Sequence, residues 1–214
     1  MTQPIKIDIV SDVVCPWCAI GYGNLAKALE QLKDQLSADI QWHPFQLNPH
    51  MPAEGQEINE HLGEKYGLNE AQLAENKQRI VDMGKLAGVD FKFEQRSRIF
   101  NTLKCHILLH WAGEKGKQTE LKLALFAAYF TRGENLNSDE VLVAAVKEAG
   151  LDTLEAQIVL KDEQYKKVVL EEESKYKHMG IQSVPAFIIN DQYLISGGQP
   201  ADAFVQALSD IASR

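Results

Sequence analysis

The chain has 214 residues, 45% hydrophobic and 24% charged, the profile of an ordinary globular protein whose core needs no disulfide framework. Lys plus Arg total 22 against 30 for Asp plus Glu, a net charge of −8 that argues against nucleic acid as a partner. The N-terminus lacks the basic-then-apolar pattern of a signal peptide, and the longest apolar run, LALFAAYF (123–130), is too short to span a bilayer, so a cytoplasmic protein with no membrane partner is expected.

Ile5, Ile7 and Ile9 alternate with Lys6 and Asp8, which predicts a strand over roughly 4–10. Leu25, Ala28, Leu29, Leu32 and Leu36 recur at helical spacing, and DIQWHPFQL (39–47) reads as a second strand, completing a βαβ unit. NPHMPAEG (48–55) is a loop. Helical periodicity then runs to about residue 178, with capping boxes predicted at Asn137/Glu140 and Asp152/Glu155 and a stop at Gly180. VPAFIIN (184–190) and DQYLIS (191–196) read as a hairpin across Asn190-Asp191. A last helix follows, with Pro200 near its first turn and Phe204, Leu208 and Ile211 on one face. Neither terminal half can fold alone. The expected division is therefore a discontinuous α/β domain, 1–50 with 180–214, and an all-helical insertion over 51–179.

Cys15 and Cys18 stand at the junction of the first strand and helix. A C-x-x-C pair can hold half a zinc site, close a structural loop or exchange disulfides. Zinc wants four ligands; there is no second pair, Cys105 is single, and His106 and His110 lack the neighbouring Glu of a metalloprotease helix, so no metal site is expected. A structural loop would not persist in a reducing compartment, and three cysteines is an odd number. Exchange has a physical basis: Cys15 at a helix N-terminus gains from unpaired amides and the helix dipole, and Cys18, one turn further in, is within reach to resolve a mixed disulfide. The expected pair is one exposed thiol and one shielded thiol. Gly21, Gly23 and Ala26 match a dinucleotide fingerprint but fall about ten residues too late, inside the helix, where small residues serve close packing or a kink. Cys105 reads as a buried small hydrophobe, and Glu171–Glu173 as a solvated helix face.

The stretches DIVSDVVCPWC, WHPFQLNPHMP, NTLKCHILLHWA, LFAAYFTRGENLNSDEVL and GIQSVPAFIINDQYLISGGQP resemble the DsbA-like thioredoxin family, and more closely its FrnE-type branch of cytoplasmic disulfide oxidoreductases and isomerases. The resemblance covers essentially the whole chain. It implies a thioredoxin-like fold with a large all-helical insertion, with Cys15 as attacking thiol and Cys18 as resolving thiol. Pro16 and Trp17 would tune the pair, Pro185 would be a cis-proline packed against it, and Val184 would lie beside the substrate. No cofactor would be tightly bound: the Cys15–Cys18 disulfide carries the electrons, thiol or disulfide proteins are the substrates, and glutathione can serve as reductant or substrate. The middle pair is Pro-Trp where strongly oxidising relatives have Pro-His, so a less oxidising couple is expected. Kappa-class glutathione transferases and 2-hydroxychromene-2-carboxylate isomerases share the fold, typically with Ser at the first position, and leave a glutathione-dependent activity as an alternative. A client-binding module without catalysis is a further one, although neither alternative needs Cys18. Oligomeric state is not legible.

Overall fold

The computed structural model describes residues 2–213. Strand β1 (Gln3–Ser11) turns Ile5, Ile7 and Ile9 to one face and Asp8 and Val10 to the other, the period-two alternation of a strand buried on both sides. Helix α1 (Pro16–Gln31) returns the chain to β2 (Leu36–Pro44), parallel to β1. A minimal ladder of β3 (Gln56–Glu57) leads into α2 (Ile58–Tyr66) and α3 (Glu70–Ala87), and is closed by β4 (Arg98–Ile99). Helices α4 (Leu103–Glu114) and α5 (Gln118–Phe126) follow, the latter running into a π-helical turn over Ala127–Thr131. Then come α6 (Asp139–Glu148), α7 (Thr153–Val159) and α8 (Glu163–His178). The hairpin β5 (Ala186–Ile189) and β6 (Tyr193–Ser196) and helix α9 (Ala201–Ala212) complete the chain. The main sheet runs β2-β1-β5-β6, with β5 antiparallel to both neighbours.

Helices α1 and α9 cover one face of this sheet. Phe204 of α9 meets Phe187 edge-on at 4.9 Å, and Leu25, Leu208, Ile7 and Ile9 join the same core. Each such side chain stabilises the fold by about 1.5–3 kcal/mol on burial. The other face packs Val10, Ala186 and Ile188 against Tyr176 of α8. The open edge of β2 is closed by one side chain: the Gln118 carboxamide accepts from Trp42 N (2.8 Å) and donates to the Trp42 carbonyl (2.9 Å), taking the place of a neighbouring strand.

The hairpin turn has Asn190 and Asp191 at φ +51° and +56°, the type I′ geometry their identities favour. Three local expectations are corrected. β2 spans 36–44, not 39–47, so Leu36 belongs to the strand and the apolar helix face ends at the cap Leu32. The cap of α6 is Ser138, whose hydroxyl accepts from Val141 N, while Asn137 turns away to donate to the Ala53 carbonyl; a cap needs its oxygen within reach of the third amide, and Ser138 occupies that place. The β3–β4 ladder and the π turn escape periodicity altogether, being shorter than any period-counting window. Asp152 caps α7 as expected, accepting from Leu154 N and Glu155 N. Among the described residues no helix is long and apolar enough to cross a membrane.

Candidate active site

The chain leaves β1 at Ser11 and turns so that Cys15 N donates to the Asp12 carbonyl (3.3 Å). Cys15 is the N-cap of α1, extended at φ −90°, ψ 111°, and its own carbonyl accepts from Cys18 N (3.1 Å). Pro16 takes the first helical position, where a missing N–H costs nothing.

Cys18 is fully buried, as its position one turn inward requires. Cys15 is not the exposed thiol expected from the sequence: only 4% of it is accessible. The loop before β5 lies against it, with Cys15 Sγ donating to the Val184 carbonyl at 3.7 Å. The Val184–Pro185 peptide is cis, as the resemblance implies. A methyl group at Gly21 would meet Phe187, Pro185 and Gly198 at 3.0–3.3 Å, so the glycine within the false fingerprint lets α1 seat against this loop. Cys15 is reached through a cleft of about 1500 Å³, whose walls include Pro16, Trp17 and Val184 and, opposite them, residues of α2 and α3.

Beneath the cysteines lies a buried polar group. Asp12 Oδ2 accepts from Leu47 N (2.8 Å), and Oδ1 lies 3.4 Å from His106 Nε2. Burial pushes the Asp12 carboxyl up, but His106, the Leu47 amide and Lys122 together hold it below its ordinary value. Lys122 of α5 is 1% exposed, its ammonium over the rings of Trp42 (5.0 Å) and Phe126 (5.2 Å), and it forms no ion pair among the described residues. Burial lowers its pKa, against the pull of Cys18 and Asp12. Burial also raises the Cys18 thiol, the neighbouring Cys15 adds to this, and Lys122 opposes it. Cys105 faces the Leu136 carbonyl at 3.9 Å and burial raises its thiol, consistent with its reading as a small buried hydrophobe.

His106 and His110 do not meet on one ligand: His106 faces Asp12, and His110 lies 3.4 Å from Glu172. Among the described residues no three His, Cys, Asp or Glu side chains are grouped to hold a metal. The acidic run of α8 is corrected from a solvated face. Glu171 is exposed, but Glu172 receives His43 Nδ1 at 2.6 Å. Glu173, 4% exposed, accepts from Gln46 N (2.7 Å) and Gln46 Nε2 (2.9 Å) and pairs with Lys177. Both glutamates face β2 and the loop after it, whose unpaired donors draw them inward.

Sequence reasoning did not single out Asp12, Lys122 or Glu172 as site residues. A signal existed for Lys122, a charge within the otherwise apolar stripe of Leu121, Leu125 and Phe126. Asp12 carried one too, as an acid directly after an apolar strand and three residues before Cys15.

The model of the DSBA-like thioredoxin domain matches residues 6–209. A solved structure of a probable DsbA oxidoreductase from Streptomyces coelicolor superposes with a TM-score of 0.91 at 30% identity, covering 98% of this chain and 91% of that one. YwbO of Bacillus subtilis (strain 168), itself uncharacterised, is 28% identical over 207 residues, 96% of each chain. The cytosolic disulfide reductase DsbM from Pseudomonas aeruginosa, solved with GSH, shares the fold at 16% identity and a TM-score of 0.68, covering 98% of this chain and all of that one.

Proposed function

The chain belongs to the DSBA-like thioredoxin domain family, and on that premise we propose that it is a thiol–disulfide oxidoreductase working through Cys15 and Cys18. The Cys15 thiolate attacks one sulfur of a substrate disulfide; a Cys15–substrate disulfide forms and the other substrate sulfur leaves as thiolate. Cys18, after losing its proton, attacks Cys15 Sγ, expelling the second substrate thiolate and leaving a Cys15–Cys18 disulfide. Two electrons have passed to the substrate, and a thiol reductant of the glutathione class restores the dithiol. Run backwards, the same steps oxidise a client dithiol. No bound cofactor is needed, since the cysteines carry the electrons.

The observation that carries this reading is the geometry around Cys15: a thiol at a helix N-cap, its partner one turn inward, and the Val184 carbonyl 3.7 Å away at the mouth of the cleft. In this reading Val184 and Pro185 dock the substrate backbone, Pro16 and Trp17 shape the pair, and Lys122 lowers the cost of a Cys18 thiolate. The motifs around the cysteines support placement in the FrnE-type branch and a cytoplasmic setting. The absence of an imidazole between the cysteines supports a couple less oxidising than the value near −120 mV of DsbA. A glutathione transferase or a non-catalytic client-binding module would have no use for Cys18. Insulin-disulfide reduction tests the proposal beside glutathione conjugation. Cys15→Ser is expected to abolish reduction and Cys18→Ser to stall it at the mixed disulfide. Full reductase activity in Cys15→Ser, or glutathione turnover that survives loss of Cys18, would contradict it.

A further inference from the structure

The cleft above Cys15 is charged against the sign of the molecule. The chain carries a net −8, yet the charged groups lining the cleft are Lys65, Arg79, Arg96 and Lys177 against Glu75 and Asp82. Two of the cations have local partners: Lys177 pairs with Glu173, and Lys65 donates to the Leu47 carbonyl and Asn48 Oδ1. Asp82 is engaged by Gln78 Nε2 and Lys85, and Glu75 is exposed. The two guanidinium groups remain without a carboxylate partner among the described residues.

Both are held in place by aromatic rings. Arg79 lies 5.4 Å over the ring of Trp17, between the two cysteines, and its only hydrogen bond among the described residues runs to Asn76 Oδ1. Arg96 is gripped by three rings, Phe93 at 4.4 Å, Tyr129 at 5.0 Å and Phe130 at 5.4 Å. Its Nε is buried with no hydrogen-bond partner among the described residues, although the Tyr129 side chain favours the cation; such an unpaired buried donor is rare enough in a folded protein to call for a cause. Stacking fixes the plane of a guanidinium while leaving its edge N–H groups free, and those edges match a carboxylate in a fork. Arg96, desolvated by its surroundings and with no anion beside it among the described residues, gains most from one that arrives with a ligand, and the exposed Arg79 adds a second positive group to the same cleft.

We propose that Arg79 and Arg96 form a carboxylate-binding wall, and that the preferred substrates are thiols bearing carboxylates near the sulfur, and their disulfides. This rests on the redox reading of Cys15.

A charge series of small disulfides tests the wall. Dithiodipropionate carries two carboxylates, bis(2-hydroxyethyl) disulfide is neutral and cystamine is cationic. The reduced protein converts each to two thiols while Cys15 and Cys18 become a disulfide, and dithiothreitol recycles it. Wild type is expected to prefer the dicarboxylate over the neutral disulfide at least tenfold in kcat/KM, with cystamine slowest. Arg96→Met and, separately, the surface change Arg79→Met are each expected to cut that ratio about tenfold, with Arg96→Lys between. Equal rates across the series in wild type, or a ratio unmoved in either variant that folds, overturns the proposal while leaving the redox reading intact. Binding is read independently of turnover with thiodipropionate, the unreactive thioether, by calorimetry. Arg79-dependent binding in a protein that reduces no disulfide would sustain the wall and defeat the redox reading; no binding by wild type would defeat the wall.

Discussion

Burial and the neighbouring Cys15 raise the Cys18 thiol, so resolution of a mixed disulfide is the step that needs help. Lys122 is placed to give it, an ammonium held over two rings and in no ion pair among the described residues. In Lys122→Met, decay of a Cys15 mixed disulfide should slow about tenfold, the effect of roughly one pKa unit on Cys18, as read by stopped-flow at neutral pH. The unfolding free energy should change little, because a buried charge is exchanged for an apolar side chain of similar length. Unchanged resolution would remove Lys122 from the mechanism. The cysteines were legible in the sequence because their spacing is local and helix geometry acts over the same few residues. Lys122 and Glu173 were not, since what buries them is Trp42 in one case and Gln46 in the other, each far away along the chain. The burial of Cys15 is not legible for the same reason: its cover, Val184, comes 169 residues later.

At the level of elements, α8 is fastened to the sheet by charge. His43 of β2 places Nε2 2.7 Å from Asp8 Oδ1 and Nδ1 2.6 Å from Glu172 Oε1, so both ring nitrogens face carboxylates, as in an imidazolium. Burial lowers the His43 pKa, but the two carboxylates outweigh it and the net shift is upward; Glu172 raises His110 as well. Glu172, despite its burial, is held down to about 2 by His110 and His43. The histidine contribution is complete below the unfolded value of 6.5 and fades as pH rises through the raised folded values. The Glu172 contribution is complete above 4.5 and fades as pH falls toward about 2. Denaturant midpoints should therefore be highest between these limits and decline on both sides, and His43→Gln should flatten the alkaline limb. An alkaline decline of the same size in that variant would assign it elsewhere. A second element-level contact is α1 against the end of α3, where a methyl group on Gly23 would overlap the Ala87 carbonyl. Gly23→Ala should lower stability by about 1–3 kcal/mol, overpacking exceeding the gain of about 1 kcal/mol in helix propensity. A stabilised variant in thermal unfolding would contradict this. The helices and long strands were legible because periods of 3.6 and 2 repeat within them. The cap of α6 slipped by one residue because Asn137 and Ser138 are both good caps, and a contact to Ala53 decides between them.

Across the whole molecule, the sheet and the helices share a core. Ile7 and Ile9 of β1, Leu25 of α1, Leu108 of α4, Leu125 of α5 and Phe204 of α9 belong to one buried cluster, and Gln118 serves as the outer neighbour of β2. We propose that the division into 1–50 with 180–214 and 51–179 describes chain topology, and that the two parts unfold together. Tryptophan fluorescence, which reports Trp42 in the sheet and Trp111 in the helices, should trace the same denaturant transition as far-ultraviolet circular dichroism; separated transitions would mean two bodies. The order of strand, helix, strand, helices, hairpin and helix was readable from the sequence. The cleft was not, because it arises only where α2 and α3 come to rest over Cys15. The chemistry turns on which sulfur a substrate meets there. Intact-mass and peptide mapping of reduced Cys18→Ser after a short exposure to a small disulfide should find a single adduct, on Cys15. An adduct confined to Cys105, or none at all, would contradict it.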